Sequence, residues 1–85
     1  MDLEKGIVVV SAAGRDKTHL MVVVDLQKGR ALVSDGRERP LNNPKSKNPR
    51  HLHKTEHRLD MSLIGSDKAL RKALTEIRNG LKEAN

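Results

Sequence analysis

Two valine-rich runs constrain the fold of this chain more than any other feature of its sequence. They lie within residues 6–11 and 19–26, on either side of a short polar segment. β-Branched side chains fit a pleated, half-buried surface and lose rotamer freedom on a helix, so both runs predict β-strands. Each run is apolar at consecutive positions, which means that both faces of its strand have to be covered. One face is expected to fill a small core and the other to lie under another element.

Turn residues extend this pair into a small sheet. Gly29 predicts a turn over residues 27–30, and residues 31–34 predict a third, shorter strand. Asp35 and Gly36, which tolerate left-handed backbone geometry, end it. Such short strands predict an antiparallel meander that curls to protect its edges, usually as an SH3-like barrel. A fourth strand around Leu52 is predicted to close the sheet.

The strand pattern breaks over residues 37–49. Prolines at positions 40, 44 and 49 punctuate this stretch, and proline lacks the ladder donor and restricts the residue before it. The stretch is therefore predicted to be a loop, and its basic character extends to residue 50. Long loops without their own secondary structure tend to be functional or disordered.

The C-terminal residues predict one amphipathic helix. Ser66 is a good N-cap, and Asp67 in the first turn complements the helix dipole. The apolar stripe of the helix follows the 3.6-residue period and consists of Leu70, Leu74, Ile77 and Leu81. The expected architecture is mainly β with one helix. Residues 1–62 form a small antiparallel barrel with a basic loop at 37–50, and residues 63–85 form a helix packed on it, in a single domain.

Composition excludes several classes of function. The chain has 85 residues and contains no Phe, Tyr, Trp or Cys. Large ligand pockets and base-stacking platforms rely on aromatic side chains, and thiolate zinc sites need cysteine. His51, His53 and His57 alternate along the chain, but a structural zinc site takes four ligands, so no metal is predicted. No acid pair or nucleophile–base set is recognisable, and we expect neither enzymatic activity nor a cofactor.

The net charge of +6 bears on the partner rather than on the fold. With a sequence pI of about 10.1, nucleic acid is the first expectation, followed by an anionic membrane or an acidic protein. Residues 1–5 lack the apolar region of a signal peptide, and no run approaches the length needed to span a membrane. We expect a cytoplasmic monomer without a membrane partner.

The first two strands and the segment between them resemble the KOW motif, a strand–loop–strand unit of several ribosomal proteins and transcription elongation factors. Gly6, Gly14 and the basic residues Arg15 and Lys17 carry this resemblance, together with the valine runs. From Leu3 to Leu81, the chain is similar to bacterial KOW-domain RNA-binding proteins. These are related to the fourteen-e class of large-subunit ribosomal proteins of archaea and eukaryotes. The further matching residues are Asp25, residues 31–33, Asp35, Gly36, residues 44–48, His51, Leu52, Lys54, Thr55 and Asp67. The resemblance implies an SH3-like barrel that binds structured RNA, ribosomal RNA among its targets.

Two basic clusters are the candidate RNA contacts. The first is Arg15 and Lys17, and the second consists of Arg39, Lys45, Lys47, Arg50 and Lys54. Lysine and arginine replace the counterions condensed on nucleic acid, so these side chains are predicted to bind phosphates. Because Phe, Tyr and Trp are missing, the protein is expected to recognise the shape and the sugar–phosphate backbone of the RNA. Two alternatives remain open: a protein-interaction module that docks on ribosomal or transcription proteins, and a duplex-DNA-binding protein.

Overall fold

The computed structural model describes residues 3–12 and 19–83. The predicted first turn, with Arg15 and Lys17, lies outside the described residues. The described elements are β1 (Ile7–Ser11), β2 (Leu20–Gln27), β3 (Arg30–Ser34), β4 (Lys45–Lys47), β5 (Leu52–Arg58) and α1 (Asp67–Glu83), with single 3-10 turns at Pro49–His51 and Met61–Leu63.

The strands form one five-stranded sheet in the order β4-β3-β2-β1-β5. Every neighbouring pair is antiparallel, and β1, β2 and β3 form the predicted meander. The prediction of a mainly β chain with one C-terminal helix is confirmed. Among the described residues, β4 and β5 do not pair with each other, so the sheet is not closed.

The short connection between the two edge strands makes the sheet curl. In a flat sheet of this order β4 and β5 would lie about 19 Å apart, at a strand spacing of about 4.8 Å. Only Asn48 and the 3-10 turn Pro49–His51 connect Lys47 to Leu52. At about 2 Å per 3-10 residue and about 3.4 Å per extended residue, this connection covers about 13 Å. The two edges are therefore brought towards each other.

The prediction of an unbroken loop over residues 37–49 is wrong at Lys45–Lys47, which form β4. In this strand Ser46 pairs with Leu32, and the Arg30 side chain donates to the Ser46 hydroxyl (2.7 Å) and carbonyl (3.3 Å) oxygens. An edge strand pairs on one side only, so it does not need the apolar pattern by which buried strands are recognised. The predicted strand around Leu52 is the fifth strand, and it pairs with β1.

Both faces of the sheet bury apolar side chains. On one face, Ile7 and Val9 belong to a cluster that lies inside the curl and also contains Leu3, Met21, Val23, Ala31, Val33 and Leu52. On the other face, Val8 packs with Leu20, Val22, Leu70 and Leu74. The alternation of side chains along β1 therefore supplies two separate clusters. Both faces of β1 are buried, which explains why its valines follow one another without polar residues between them.

Helix α1 begins where the sequence predicts. The Ser66 hydroxyl oxygen accepts a hydrogen bond from the Ala69 backbone N–H at 3.1 Å, which confirms Ser66 as the N-cap. Leu70 and Leu74 bury the apolar stripe against the sheet, and Ile77 packs beside them. Across the part of the chain that the structure describes, no helix has both the length and the apolar character that crossing a membrane requires.

Candidate nucleic-acid interface

The segment that follows β3, residues 34–39, is a tightly hydrogen-bonded turn. The Asp35 carboxylate accepts hydrogen bonds from the backbone N–H groups of Arg37 (2.8 Å) and Arg39 (3.0 Å). The Arg39 carbonyl oxygen in turn accepts from the backbone N–H groups of Asp35 and Gly36. An aspartate that binds the backbone ahead of it is a common turn-forming device. These bonds hold the two basic residues in defined backbone positions.

Helix α1 lies directly over this turn. Gly36 has φ +76°, and a Cβ added to it would come within 2.7 Å of the Asp67 carbonyl oxygen. Arg71 Nη1 donates a hydrogen bond to the Gly36 carbonyl oxygen at 2.7 Å. The Asp67 carboxylate accepts from the Leu41 backbone N–H at 2.8 Å. Close packing and the Arg71 contact therefore hold the turn against the start of the helix, and the Asp67 contact holds the segment that follows the turn.

A cleft of about 470 Å³ opens between α1, the start of β2 and the 34–39 turn. Its described lining includes three arginine side chains and two largely buried leucines. The lining residues are His19, Leu20, Asp35, Arg37, Arg71, Leu74, Thr75 and Arg78. We call this feature the arginine cleft, defined by Arg37, Arg71 and Arg78.

Positive charge exceeds negative charge in the arginine cleft. Arg71 and Arg78 lie seven positions apart, on one face of α1 with Thr75 between them, whereas Glu76 is on a different face. Among the described lining residues Asp35 is the one carboxylate, and it accepts hydrogen bonds from two backbone N–H groups of the turn. The lining therefore attracts an anion more strongly than a cation.

Other acidic residues are engaged away from this cleft. Asp25 forms an ion pair with Lys5 at 3.6 Å, and Glu4 pairs with Arg58. The pKa of Asp25 lies below its ordinary value, mainly because its carboxylate accepts a hydrogen bond from the Leu26 backbone N–H. Local partners stabilise the charged form of Asp25, and neither Asp25 nor Glu4 is among the described residues that line the cleft.

Among the predicted RNA contacts, Lys47 has the most unexpected position. Its side chain is buried, with 8% of its surface exposed, and Nζ donates a hydrogen bond to the Ser11 hydroxyl at 2.8 Å. Ser11 belongs to β1, which lies next to the opposite edge strand β5, so this contact spans the curl from the edge strand β4. A direct phosphate contact from Lys47 would require its side chain to leave this position.

Arg50 and Lys54 are exposed on the connection to β5 and on β5 itself. The Asn48 side chain caps the 3-10 turn by accepting a hydrogen bond from the Arg50 backbone N–H at 3.0 Å. Lys54 pairs with Val9 in the ladder. Both cations are therefore held on ordered backbone and face solvent.

The other two predicted contacts within the described residues, Arg39 and Lys45, are half-buried. Arg39 lies at the end of the 34–39 turn, two residues from Arg37 in the arginine cleft. Lys45 begins β4, where it pairs with Val33. Arg39 is thus next to the cleft in the chain, whereas Lys45 and Lys54 lie on opposite edge strands of the ladder.

Sequence reasoning did not assemble the arginine cleft, although the signals for its parts were present. The spacing of Arg71 and Arg78 places both on one helical face, and Arg37 belongs to the basic loop. Nothing in the spacing joins Arg37 to a helix that begins thirty residues later. That meeting depends on how α1 packs over the turn.

No protein-family model matches this chain, and no curated protein is significantly similar to it. The KOW resemblance stays a prediction from the residues named in the sequence analysis. Within residues 3–12 and 19–83, no group of three or more histidine or carboxylate side chains is arranged to hold a metal ion.

Proposed function

We propose that this protein is a non-catalytic RNA-binding module of the KOW type, similar to the fourteen-e class of ribosomal proteins. Its target is structured RNA, ribosomal RNA or RNA of ribosome-associated particles, in the cytoplasm. It binds through phosphate contacts from basic residues displayed on a small β scaffold.

The shape of the sheet supports an SH3-like, partly open barrel. The five antiparallel strands curl so far that a four-residue connection containing a 3-10 turn links the two edges. One apolar cluster fills the inside of the curl, and α1 covers the outside. This arrangement supplies a rigid platform from a core that contains no aromatic residue.

The observation that carries the proposal is the uncompensated charge of Arg50 and Lys54. Both are exposed, and neither forms an ion pair within the part of the chain that the structure describes. A phosphate backbone brought to such cations releases condensed counterions, which is the main source of sequence-independent affinity. Ordered backbone under both residues keeps the contacts in register.

Recognition is proposed to depend on RNA shape. The absence of Phe, Tyr and Trp removes the usual platforms on which successive bases stack. Arginine can still form forked hydrogen bonds to phosphate oxygens, which lysine cannot do. Such contacts select a particular arrangement of phosphates in a folded RNA.

The first prediction compares structured ribosomal RNA fragments with duplex DNA of equal charge. We expect the wild-type protein to bind the RNA more tightly, with a preference that persists when the salt concentration is raised. Arg50→Gln with Lys54→Gln is expected to lower the slope of log affinity against log salt by about one to two. Fluorescence anisotropy at several salt concentrations measures both quantities.

Lys68→Gln with Lys72→Gln is the matched control, because it removes the same charge from exposed positions on α1. An equal effect of both double variants would show that only net charge matters. Weak, equal binding of RNA and DNA that vanishes with salt would contradict the proposal. Co-purification of one protein partner in its place would favour the protein-interaction alternative.

A second prediction concerns Arg15 and Lys17, which lie outside the described residues. Replacing both with Gln is expected to weaken RNA binding and to flatten its salt dependence, because the KOW resemblance places phosphate contacts on this turn. Circular dichroism should show an unchanged fold. Unchanged RNA affinity would remove the turn from the proposed interface.

A further inference from the structure

We propose that the arginine cleft is a phosphate-binding site, in which Arg37, Arg71 and Arg78 hold a backbone phosphate of the bound RNA. This inference rests on the proposed function for the identity of the ligand. It adds a site on the helix side of the molecule, away from the cations of the β4–β5 connection. The resemblance that predicts the basic loops does not point to this site.

The structure builds the cleft before any ligand arrives. Arg71 is half-buried, and its Nη1–H group is bound to the Gly36 carbonyl oxygen at 2.7 Å. The backbone N–H of Arg37 is bound to the Asp35 carboxylate at 2.8 Å. The two arginines therefore start from fixed anchor points, which reduces the conformational entropy lost on binding.

Two of the three guanidinium groups are free to take a ligand. Arg37 and Arg78 are exposed, and among the described residues neither side chain forms a hydrogen bond or an ion pair. Arg71 uses one of its five N–H donors on Gly36, which leaves further donors for the cleft. A planar guanidinium matches the oxygen pairs of a phosphate group.

The size and lining of the cleft suit one nucleotide unit. Its volume of about 470 Å³ lies within the range of about 300–1,000 Å³ that is usual for ligand sites. Thr75 adds a hydroxyl group to the lining, and the largely buried Leu20 and Leu74 add its apolar part. The volume leaves room for the attached sugar beside a phosphate held by the arginines.

Continuity with the predicted footprint favours RNA as the source of the phosphate. His19, which lines the cleft, is two positions after Lys17 in the sequence. Arg37 is two positions before Arg39 on the other wall. Because Arg37 and Arg39 belong to one hydrogen-bonded turn, an RNA strand that binds Arg39 can continue into the cleft.

The test replaces Arg37 and Arg78 with Gln and leaves Arg71 in place, because Arg71 also supports the turn. We expect the RNA affinity to fall about tenfold, as for the loss of a charge-assisted contact, and the salt slope to fall by about one. Lys68→Gln with Lys72→Gln removes the same charge from the same helix outside the cleft. This control is expected to change the affinity much less.

The outcomes separate the two levels of the proposal. If the wild-type protein binds RNA and both double variants weaken it equally, the cleft inference is overturned and RNA binding stands. If the wild-type protein binds no RNA, the proposed function fails, and the inference fails with it as a claim about RNA.

An NMR titration with inorganic phosphate distinguishes the source of the ligand. The readout is the side-chain Nε–Hε signals of Arg71 and Arg78, with Arg58, which is paired with Glu4, as an internal reference. Shifts confined to the cleft at millimolar phosphate would support a site for the phosphate group itself. A specific loss of RNA affinity without such shifts would support a site that needs the RNA backbone. The absence of both effects would overturn the inference.

Discussion

Leu70→Ala is expected to destabilise the protein by about 2–5 kcal/mol. Leu70 is fully buried in the cluster that joins α1 to Val8, Leu20 and Val22 of the sheet. The substitution removes buried methyl groups and leaves a cavity between rigid elements. Typical stabilities of about 0.05–0.15 kcal/mol per residue make this loss a large part of the total for a chain of this size.

Urea unfolding followed by far-UV circular dichroism measures the change. Leu63→Ala is the matched control, because Leu63 is 76% exposed in the 3-10 turn before the helix. Its effect should stay within about 0.5 kcal/mol. Similar effects of the two substitutions would show that the helix does not depend on the contact of Leu70 with the sheet.

Gly36→Ala is expected to destabilise the protein by about 2 kcal/mol or more. The φ of +76° costs an L-residue about 1–2 kcal/mol, and the added Cβ would meet the Asp67 carbonyl oxygen at 2.7 Å. A backbone oxygen in a helix cannot move aside as a flexible side chain can, so the turn or the helix has to shift. Thermal or urea unfolding measures the loss.

Gly80→Ala is the control of opposite sign. Gly80 lies inside α1, and a Cβ at that position would meet nothing within 4 Å. Alanine should therefore raise the free energy of unfolding by about 0.5–1 kcal/mol through its higher helix propensity. If Gly36→Ala were also neutral or stabilising, the close approach of α1 to the 34–39 turn would be contradicted.

Local sequence patterns predicted most of the secondary structure because strand propensity, helical periodicity and N-capping depend on residues a few positions apart. The valine runs gave β1 and β2, since branched side chains favour strands wherever both faces are covered. The leucine spacing and Ser66 gave α1 and its first residue, since a helical face and an N-cap are formed within a few positions. These elements needed no knowledge of distant residues.

Strand β4 was not predicted because it is stabilised by residues distant in the sequence. Its three polar residues follow Pro44 and resemble a loop, and only pairing with β3 and the Arg30 contacts to Ser46 make it a strand. The position of the Lys47 side chain also depends on residues distant in the sequence. The charge pattern placed it on the surface, whereas the curl of the sheet placed its ammonium against Ser11.

The sequence by itself determined the strands of the meander, the amphipathic helix and the excess of positive charge. Only the tertiary structure determined which basic side chains line the same cleft. Arg37 and Arg78 come together because the apolar stripe of α1 must cover the outer valine face of the sheet, which places the helix over the 34–39 turn. Burial of apolar faces against each other is a property of the whole chain, and no local spacing records it.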